Sequence, residues 1–428
     1  MDRAQTRLLA ILAGLVLIVA AFLYVQGPRT APVDPTATAT VWDLANDDTI
    51  ATITLERPDD TVKLADSDDG WRIVMPLPSG RADEERAQAL ARALGSLRRG
   101  VPVDVPAERG ADFGVGEPPA ARVTVETTAG KALVLEVGNE APVGYRTYVR
   151  AEDGAIVAVS GDLHRQVTED APTFRDHRVF HFAPGEVQEV SIVSTDTTVA
   201  LTREGGRWWI DGLGPADPAR VDDLIGSLLD IRFDTIVGTE SGVRDPVYTV
   251  EVLLAAGARQ TLRTGMPAEE NVEGASGDGR TGPIYEGVLR ELGHRPEDLA
   301  ARTAFGIGLE TTDEIVVDAD GRAIRAVRNG PAWTIEGMEE GAAYDAVAAL
   351  AAVPVIGWIA EPDDNGEPDA DVIVTVRSGN DALTVRVGGE AGTGEVAARY
   401  GRGRPARIPA DGVRKFLDAV PRGAAPER

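Results

Sequence analysis

Cysteine is absent from this chain of 428 residues. That excludes disulfides, thiolate nucleophiles, Cys-ligated zinc and iron–sulfur clusters, and leaves no residue for N-terminal lipidation. Lysine is nearly absent as well. Lys63, Lys131 and Lys415 stand alone, and arginine carries almost all the positive charge. Positive charge as a whole is in deficit, with 43 Lys and Arg against 69 Asp and Glu, for a net charge of −26. A surface of that sign is repelled by phosphate backbones, which argues against nucleic acid as a partner. Aromatics make up 5% of the residues, and there are four histidines. No G-x-S-x-G elbow, H-E-x-x-H pair or Walker A loop occurs, so no motif assigns a reaction.

Long apolar runs are lacking too, with one exception. Leu8 to Val25 is apolar apart from Gly14 and the Tyr24 hydroxyl. As a helix it would cover about 27 Å, close to the thickness of a hydrocarbon core. Arg3 and Arg7 precede it, so the positive-inside rule places the N-terminus in the cytoplasm and the bulk of the chain outside. A cleaved signal peptide would carry a shorter apolar run ending in small residues. The expectation is an uncleaved single-pass anchor in the cell membrane. Gly27 to Thr40 follows, rich in Pro, Ala and Thr and without periodicity, as an extended spacer.

What is present in quantity is repetition. Ile53-Thr54-Leu55, Thr61 to Leu64 and Trp71-Arg72-Ile73 recur without a gap as Val190-Ser191-Ile192, Thr198 to Leu201 and Trp208-Trp209-Ile210. They recur again as Ile315-Val316-Val317, Arg325 to Arg328 and Trp333-Thr334-Ile335. One spacing held across several segments, twice over, predicts three copies of one structural unit. The boundaries are 1–27 for the cytoplasmic stub and anchor, 28–40 for the linker, then units at 41–180, 181–305 and 306–428.

Each unit follows one plan. Two short strands precede a third that carries a tryptophan and an isoleucine at i and i+2, on one face. Trp71 with Ile73, Trp208 with Ile210 and Trp333 with Ile335 are therefore assigned to the core. A helix with an acidic start comes next. Asp83 leads a stripe of Leu90, Leu94 and Leu97, Asp217-Pro218 leads Leu224, Leu228 and Ile231, and Ala342 to Val353 carries Val347 and Leu350. Alternating strands follow, ending on Gly138, Gly265 and Gly388, where a positive φ or a bulge is expected. Beyond them the units diverge. The first has a hairpin, Tyr145 to Arg150 and Ile156 to Val159; the second has Glu269 to Pro283, read as a mobile Gly-rich loop; the third ends in a helix near Val413 to Val420. The fold class is α+β, mainly antiparallel sheet with one packing helix per unit.

Few residues invite chemistry. His177 and His181 have the i, i+4 spacing of a helical metal pair, but their segment aligns with Leu299 to Ile307, where neither has a counterpart. They are read as junction residues. Asp66 to Gly70, Asp363 to Gly366 and Asp318 to Gly321 look like fragments of calcium loops without the closing acidic ligand, so they are read as turns. No cofactor and no metal is expected. Trp209 lies on the opposite face from Trp208 and is the candidate for an exposed binding surface, with Trp42 and Trp358 as further exposed aromatics.

The W-x-I strands, the F-G-V-x-x-P segment Phe113 to Pro118, the L-x-V-G segment Leu135 to Gly138, the tyrosine hairpin Tyr145 to Val149 and the R-D-x-R close at Arg175 to Arg178 resemble a bacterial family of membrane-anchored proteins known only as a domain of unknown function. The resemblance spans about Thr52 to Gly388 and weakens in the third unit, which lacks the tyrosine hairpin and the R-D-x-R close. Members of that family are often encoded beside gliding-motility-type ABC transporter components. It implies an extracytoplasmic accessory or scaffold role beside an ABC-type transporter or envelope complex, with no catalytic activity. A glycan- or peptide-binding module and a carboxylate-dependent hydrolase are the alternatives.

Overall fold

Alternation along the strands is realised directly. Ile53 and Leu55 of the first strand are fully buried while Thr52 and Thr54, which alternate with them, face outward. The computed structural model describes residues 40–421 apart from 43–47, 77–78, 101, 104–106, 143, 239–242, 269 and 361–369. The anchor Leu8 to Val25, nearly all of the spacer, the C-terminal tail and the Asp363 to Gly366 turn lie outside the described residues. Among the described residues, no helix is long and apolar enough to cross a membrane.

The first sheet comprises β1 (Ile50–Glu56), β2 (Thr61–Ala65), β3 (Arg72–Met75), β4 (Gly80–Arg81), β5 (Ala121–Thr127), β6 (Ala132–Glu140), β7 (Arg146–Arg150) and β8 (Ile156–Ser160), in the order β4-β3-β2-β1-β5-β6-β7-β8. The second comprises β9 (Val187–Ser194), β10 (Thr198–Glu204), β11 (Arg207–Ile210), β12 (Gly214–Pro215), β13 (Tyr248–Leu254), β14 (Arg259–Ala268), β15 (Asn271–Ser276) and β16 (Thr281–Tyr285), in the corresponding order. The third comprises β17 (Glu314–Ala319), β18 (Arg322–Asn329), β19 (Ala332–Ile335), β20 (Gly357–Trp358), β21 (Val372–Ser378), β22 (Asp381–Gly392), β23 (Glu395–Arg399) and β24 (Ala406–Pro409), ordered β19-β18-β17-β21-β22-β23-β24-β20. All pairings are antiparallel, which with the helices makes the fold α+β.

The third sheet differs at its two edges. Among the described residues it has no strand beside β19 where the others have β4 and β12, and β20 pairs with β24 at the far edge. That far-edge pairing exists in reduced form in the other two sheets: as Ile356 N–H bonds Arg407 in the third, so Val103 N–H bonds Ile156 in the first and Asp234 N–H bonds Pro283 in the second, each at 2.8 Å.

One long helix packs on each sheet, joined in the first by the short Leu163–Thr168 against β6 and in the third by Asp411–Ala419 against Glu340–Ala351. Glu84–Gly95 is capped by the Asp83 carboxylate, which accepts from Arg86 N–H, and buries Ala87, Leu90 and Leu94. Pro218–Asp230 is capped by Asp217, which accepts from the N–H groups of Ala219 and Arg220, and buries Val221, Leu224, Ile225 and Leu228. Glu340–Ala351 begins two residues before the expected start, behind Glu339, which makes no side-chain cap. Three apolar cores result, one per sheet. The chain divides into two compact units, Met1–Asp176 with the first sheet and His177–Arg428 with the second and third.

Two expectations are corrected. The Gly-rich segment 269–283 is not a loop along its described length but the β15–β16 hairpin, paired from Asn271↔Tyr285 to Ala275↔Thr281. Gly274 is there for packing, since a Cβ on it would lie 2.3 Å from Ile284 Cδ1, while Gly279 takes the positive φ of the hairpin turn. The terminal hairpin is likewise not a private feature of the first unit, because β15–β16 and β23–β24 stand where β7–β8 stands.

Candidate functional site

Trp71, Trp208 and Trp333 are 5%, 6% and 0% exposed, and Ile73, Ile210 and Ile335 are buried beside them. Each indole is thus a core anchor whose removal would leave a large void. Trp333 also donates its Nε1–H to the Leu309 carbonyl at 3.3 Å. Gly138, Gly265 and Gly388 have no positive φ, so that part of the expectation is corrected. Each sits at a register shift, between Val137 and Glu140, between Thr264 and Pro267, and between Gly388 and Glu390. At Gly138 the backbone approach is close, since a Cβ would lie 2.1 Å from the Phe113 carbonyl oxygen.

That contact ties the conspicuous motifs of the first sheet into one packed knot. Phe113 meets Tyr148 of β7 edge-on at 4.8 Å between ring centroids. Gly114 takes φ +71°, and His164 Nδ1 lies 2.6 Å from the Gly138 carbonyl oxygen. The close at Arg175 and Asp176 ties back to the strand edge, where Ala82 bridges Arg175 and Asp176 N–H donates to Arg81. His177 Nδ1 lies 2.8 Å from the Phe233 carbonyl oxygen, and the main chain of His181 is held on both sides by the Gln260 amide. Asp66 to Gly70 closes as a turn, Ser67 Oγ donating to the Gly70 carbonyl. Asp320 and Gly321 both have positive φ in the β17–β18 turn. Among the described residues, no group of three His, Asp or Glu side chains is arranged to hold a metal ion.

The aromatics expected to be exposed are not free. Trp42 is buried. Trp358 packs against both the second and third cores, and a Cβ on Gly214 would lie 2.7 Å from its ring. Trp209 is half-buried against the third core, with the Arg402 guanidinium 4.3 Å from its ring centroid. Arg402 in turn pairs with Glu204 at 2.7 Å. The indole that sequence alternation turns outward is thus covered by a cation from the distant β23–β24 turn.

Instead, the structure presents a cleft of about 350 Å³ between the second and third sheets, beside Trp208. Pro215, Ile307 and Leu383 give it apolar walls, and Asp217 and Pro218 at the helix start border it. Arg207, directly before Trp208, turns to an ion pair with Asp381, both side chains being 18% exposed. The Asp217 carboxylate is occupied by its cap. The composition of the cleft, apolar surface with a few polar groups at the edge, suits a small organic group more than a free ion.

Ionisable groups elsewhere engage one another across the outward sheet faces. Glu136 joins Arg122 at 3.0 Å and Arg150 at 3.2 Å. Glu314 is held by Arg325 and by Arg377 at 2.5 Å, and these hydrogen bonds, that of Arg325 first, keep its carboxyl below the usual range. Burial pushes the Tyr400 phenol upward, and its hydroxyl makes no hydrogen bond among the described residues.

Sequence reasoning missed Arg207, Ile307, Leu383 and Asp381 because three of them come from beyond the second sheet. One signal was present: Pro218 stands where the first helix has Glu84.

Compared with known proteins, the chain matches the family model described as Domain of unknown function (DUF4340) over residues 71–251. The match runs from Trp71 through the rest of the first sheet to β13 of the second. No curated protein matches the chain, and neither does any solved structure.

Proposed function

We propose that three copies of one sheet-and-helix unit form an extracytoplasmic, non-enzymatic accessory or scaffold protein. Leu8 to Val25 holds it to the membrane with the N-terminus in the cytoplasm, beside an ABC-type transporter or envelope complex. The observation that carries this reading is the shared strand order of the first two sheets, nearly kept by the third, each with its own helix and core. Such units spend their apolar residues internally and present ordered, ion-paired sheet faces such as Arg122–Glu136–Arg150 and Arg325–Glu314–Arg377 outward. Rigid polar faces suit docking to a partner. A single membrane helix cannot form a transport path, so transport belongs to partner subunits.

The test is affinity capture of the detergent-solubilised full-length protein, followed by mass spectrometry. Co-purification of an ABC-type permease or an envelope protein is the expected result. Recovery of neither, from membranes in which the protein itself is abundant, would end the proposal. Protease added to intact spheroplasts should digest the bulk of the chain, whereas complete protection would contradict the orientation.

The glycan- or peptide-binding alternative is favoured by one feature, the cleft beside Trp208. The hydrolase alternative has less behind it, since the carboxylates at the cleft, Asp217 and Asp381, are engaged by main-chain N–H groups and by Arg207.

A further inference from the structure

We infer that the cleft beside Trp208 binds a carboxylate attached to an apolar group, a site that goes beyond the accessory role and does not depend on it. Two corners of the molecule are built on one framework. In the first sheet the Trp71 carbonyl accepts a hydrogen bond from Ala82 N–H at 2.9 Å, and in the second the Trp208 carbonyl accepts from Ala216 N–H at 2.9 Å. N–H and C=O of one residue in an extended strand point to the same side. Both tryptophan N–H groups therefore face the edge where the helix begins. The pairing pattern agrees: Asp211 N–H donates back to Ala200 of β10, so by alternation Trp208 N–H points away from β10, toward the cleft that Trp208 lines.

The corners differ in what meets that N–H. At Trp71 it is the carboxylate of Glu84, with Oε2 at 2.8 Å. Glu84 is the first residue of its helix, directly after the Asp83 cap. In the second sheet the residue directly after the Asp217 cap is Pro218, which has no carboxylate to offer. Among the described residues, Trp208 N–H makes no hydrogen bond. The residue before each tryptophan changes in step. Gly70 leaves room for Glu84, since a Cβ there would lie 2.7 Å from Oε2, whereas the second corner has Arg207. The second corner is therefore the first with its internal carboxylate removed, and the Arg207 alongside is itself paired with Asp381, so the main-chain donor is what the missing carboxylate leaves open.

What remains is a space of about 350 Å³ with an unsatisfied donor and walls of Pro215, Ile307 and Leu383. A ligand carboxylate on Trp208 N–H would restore the bond that Glu84 makes in the first corner, a charge-assisted one. Its apolar substituent would lie on the walls. A peptide ending in an apolar residue and a free branched-chain organic acid share this chemistry.

Isothermal titration of the full-length, detergent-solubilised protein separates them, with N-acetyl-glycyl-leucine, its C-terminal amide and 4-methylpentanoate as probes. At least one of the two acids should bind saturably, and which one does identifies the source. The amide should bind about tenfold or more weakly than the acid, because it lacks the charged acceptor. Pro218→Glu supplies the missing carboxylate in place and should abolish binding, with its melting curve reporting that the fold is kept. The acid-to-amide ratio on the unmutated protein stands whether or not that variant folds. Failure of both acids to bind, equal affinity for acid and amide, or unchanged binding by a folded Pro218→Glu protein would overturn the assignment.

Discussion

One row of side chains crosses each sheet at the same place, and the rows are not the same. In the first sheet, paired residues run Ile73, Leu64, Ile53, Val125, Leu133. In the second they run Ile210, Leu201, Val190, Val252, Gln260. In the third they run Ile335, Ala326, Ile315, Val376, Leu383. The register is held by the apolar members, because slipping one residue would turn every one of them to the outward face. Positions that depart from the pattern are served locally. Gln260 accepts from His181 N–H at 2.7 Å and donates to the His181 carbonyl at 2.6 Å, so an amide at the end of the row works as a clasp on the chain entering the sheet. The smaller Ala326 lies next to Ile335 in the sheet with the most deeply buried indole, Trp333. The comparison teaches that one ladder tolerates exchange at its margins but not along its middle.

Five substitutions test that view. Trp333→Ala should cost most, about 3–5 kcal/mol, since the ring is fully enclosed and its void cannot collapse freely. Denaturant unfolding measures it, and a loss no larger than that of the half-buried Trp209→Ala would show that burial rank does not set the cost. Gln260→Leu makes the second row match the first. If the clasp argument holds, it destabilises by about 1–2 kcal/mol despite the added apolar surface, because His181 loses two main-chain bonds; stabilisation would refute the clasp.

Helix caps sharpen the same comparison on a smaller scale. Asp217→Ala should cost about 1 kcal/mol, and Glu339→Asp should raise stability by a few tenths to about 1 kcal/mol by giving the third helix the cap it lacks. Thermal melts that move in one direction for both would contradict it. The smallest effect concerns Glu314, whose folded pKa is depressed by Arg325 and then Arg377. A depressed carboxyl contributes stability above its unfolded pKa and loses it as pH falls through the folded value. Glu314→Gln should therefore be slightly less stable than the parent near neutral pH, by less than about 1 kcal/mol. That gap should close as pH falls below about 4.5; a gap independent of pH would mean that the charge is not its source.

Much of the architecture was legible in the residues. Apolar alternation in Ile53-Thr54-Leu55 and its later copies marks strands with one buried face, and Asp83 and Asp217 mark helix starts that both act as caps. The β15–β16 hairpin was not legible, because glycines such as Gly274, present so that Ile284 and Phe233 can approach, erase the alternation that announces a strand. The candidate cleft was half legible. Trp208 and Pro218 could be marked by alignment with Trp71 and Glu84, while Ile307 and Leu383 could not.

By itself, the sequence determined the three tryptophan-centred sheets, their mainly antiparallel character and the helix on each, because these rest on periodicity and on caps only a few residues away. Tertiary structure alone decided which aromatic surfaces stay free. Arg402 covers Trp209, Trp358 joins two cores, and Arg207 reaches Asp381 across the edge of the cleft. These contacts join residues far apart in the chain, and no local pattern specifies where such partners meet.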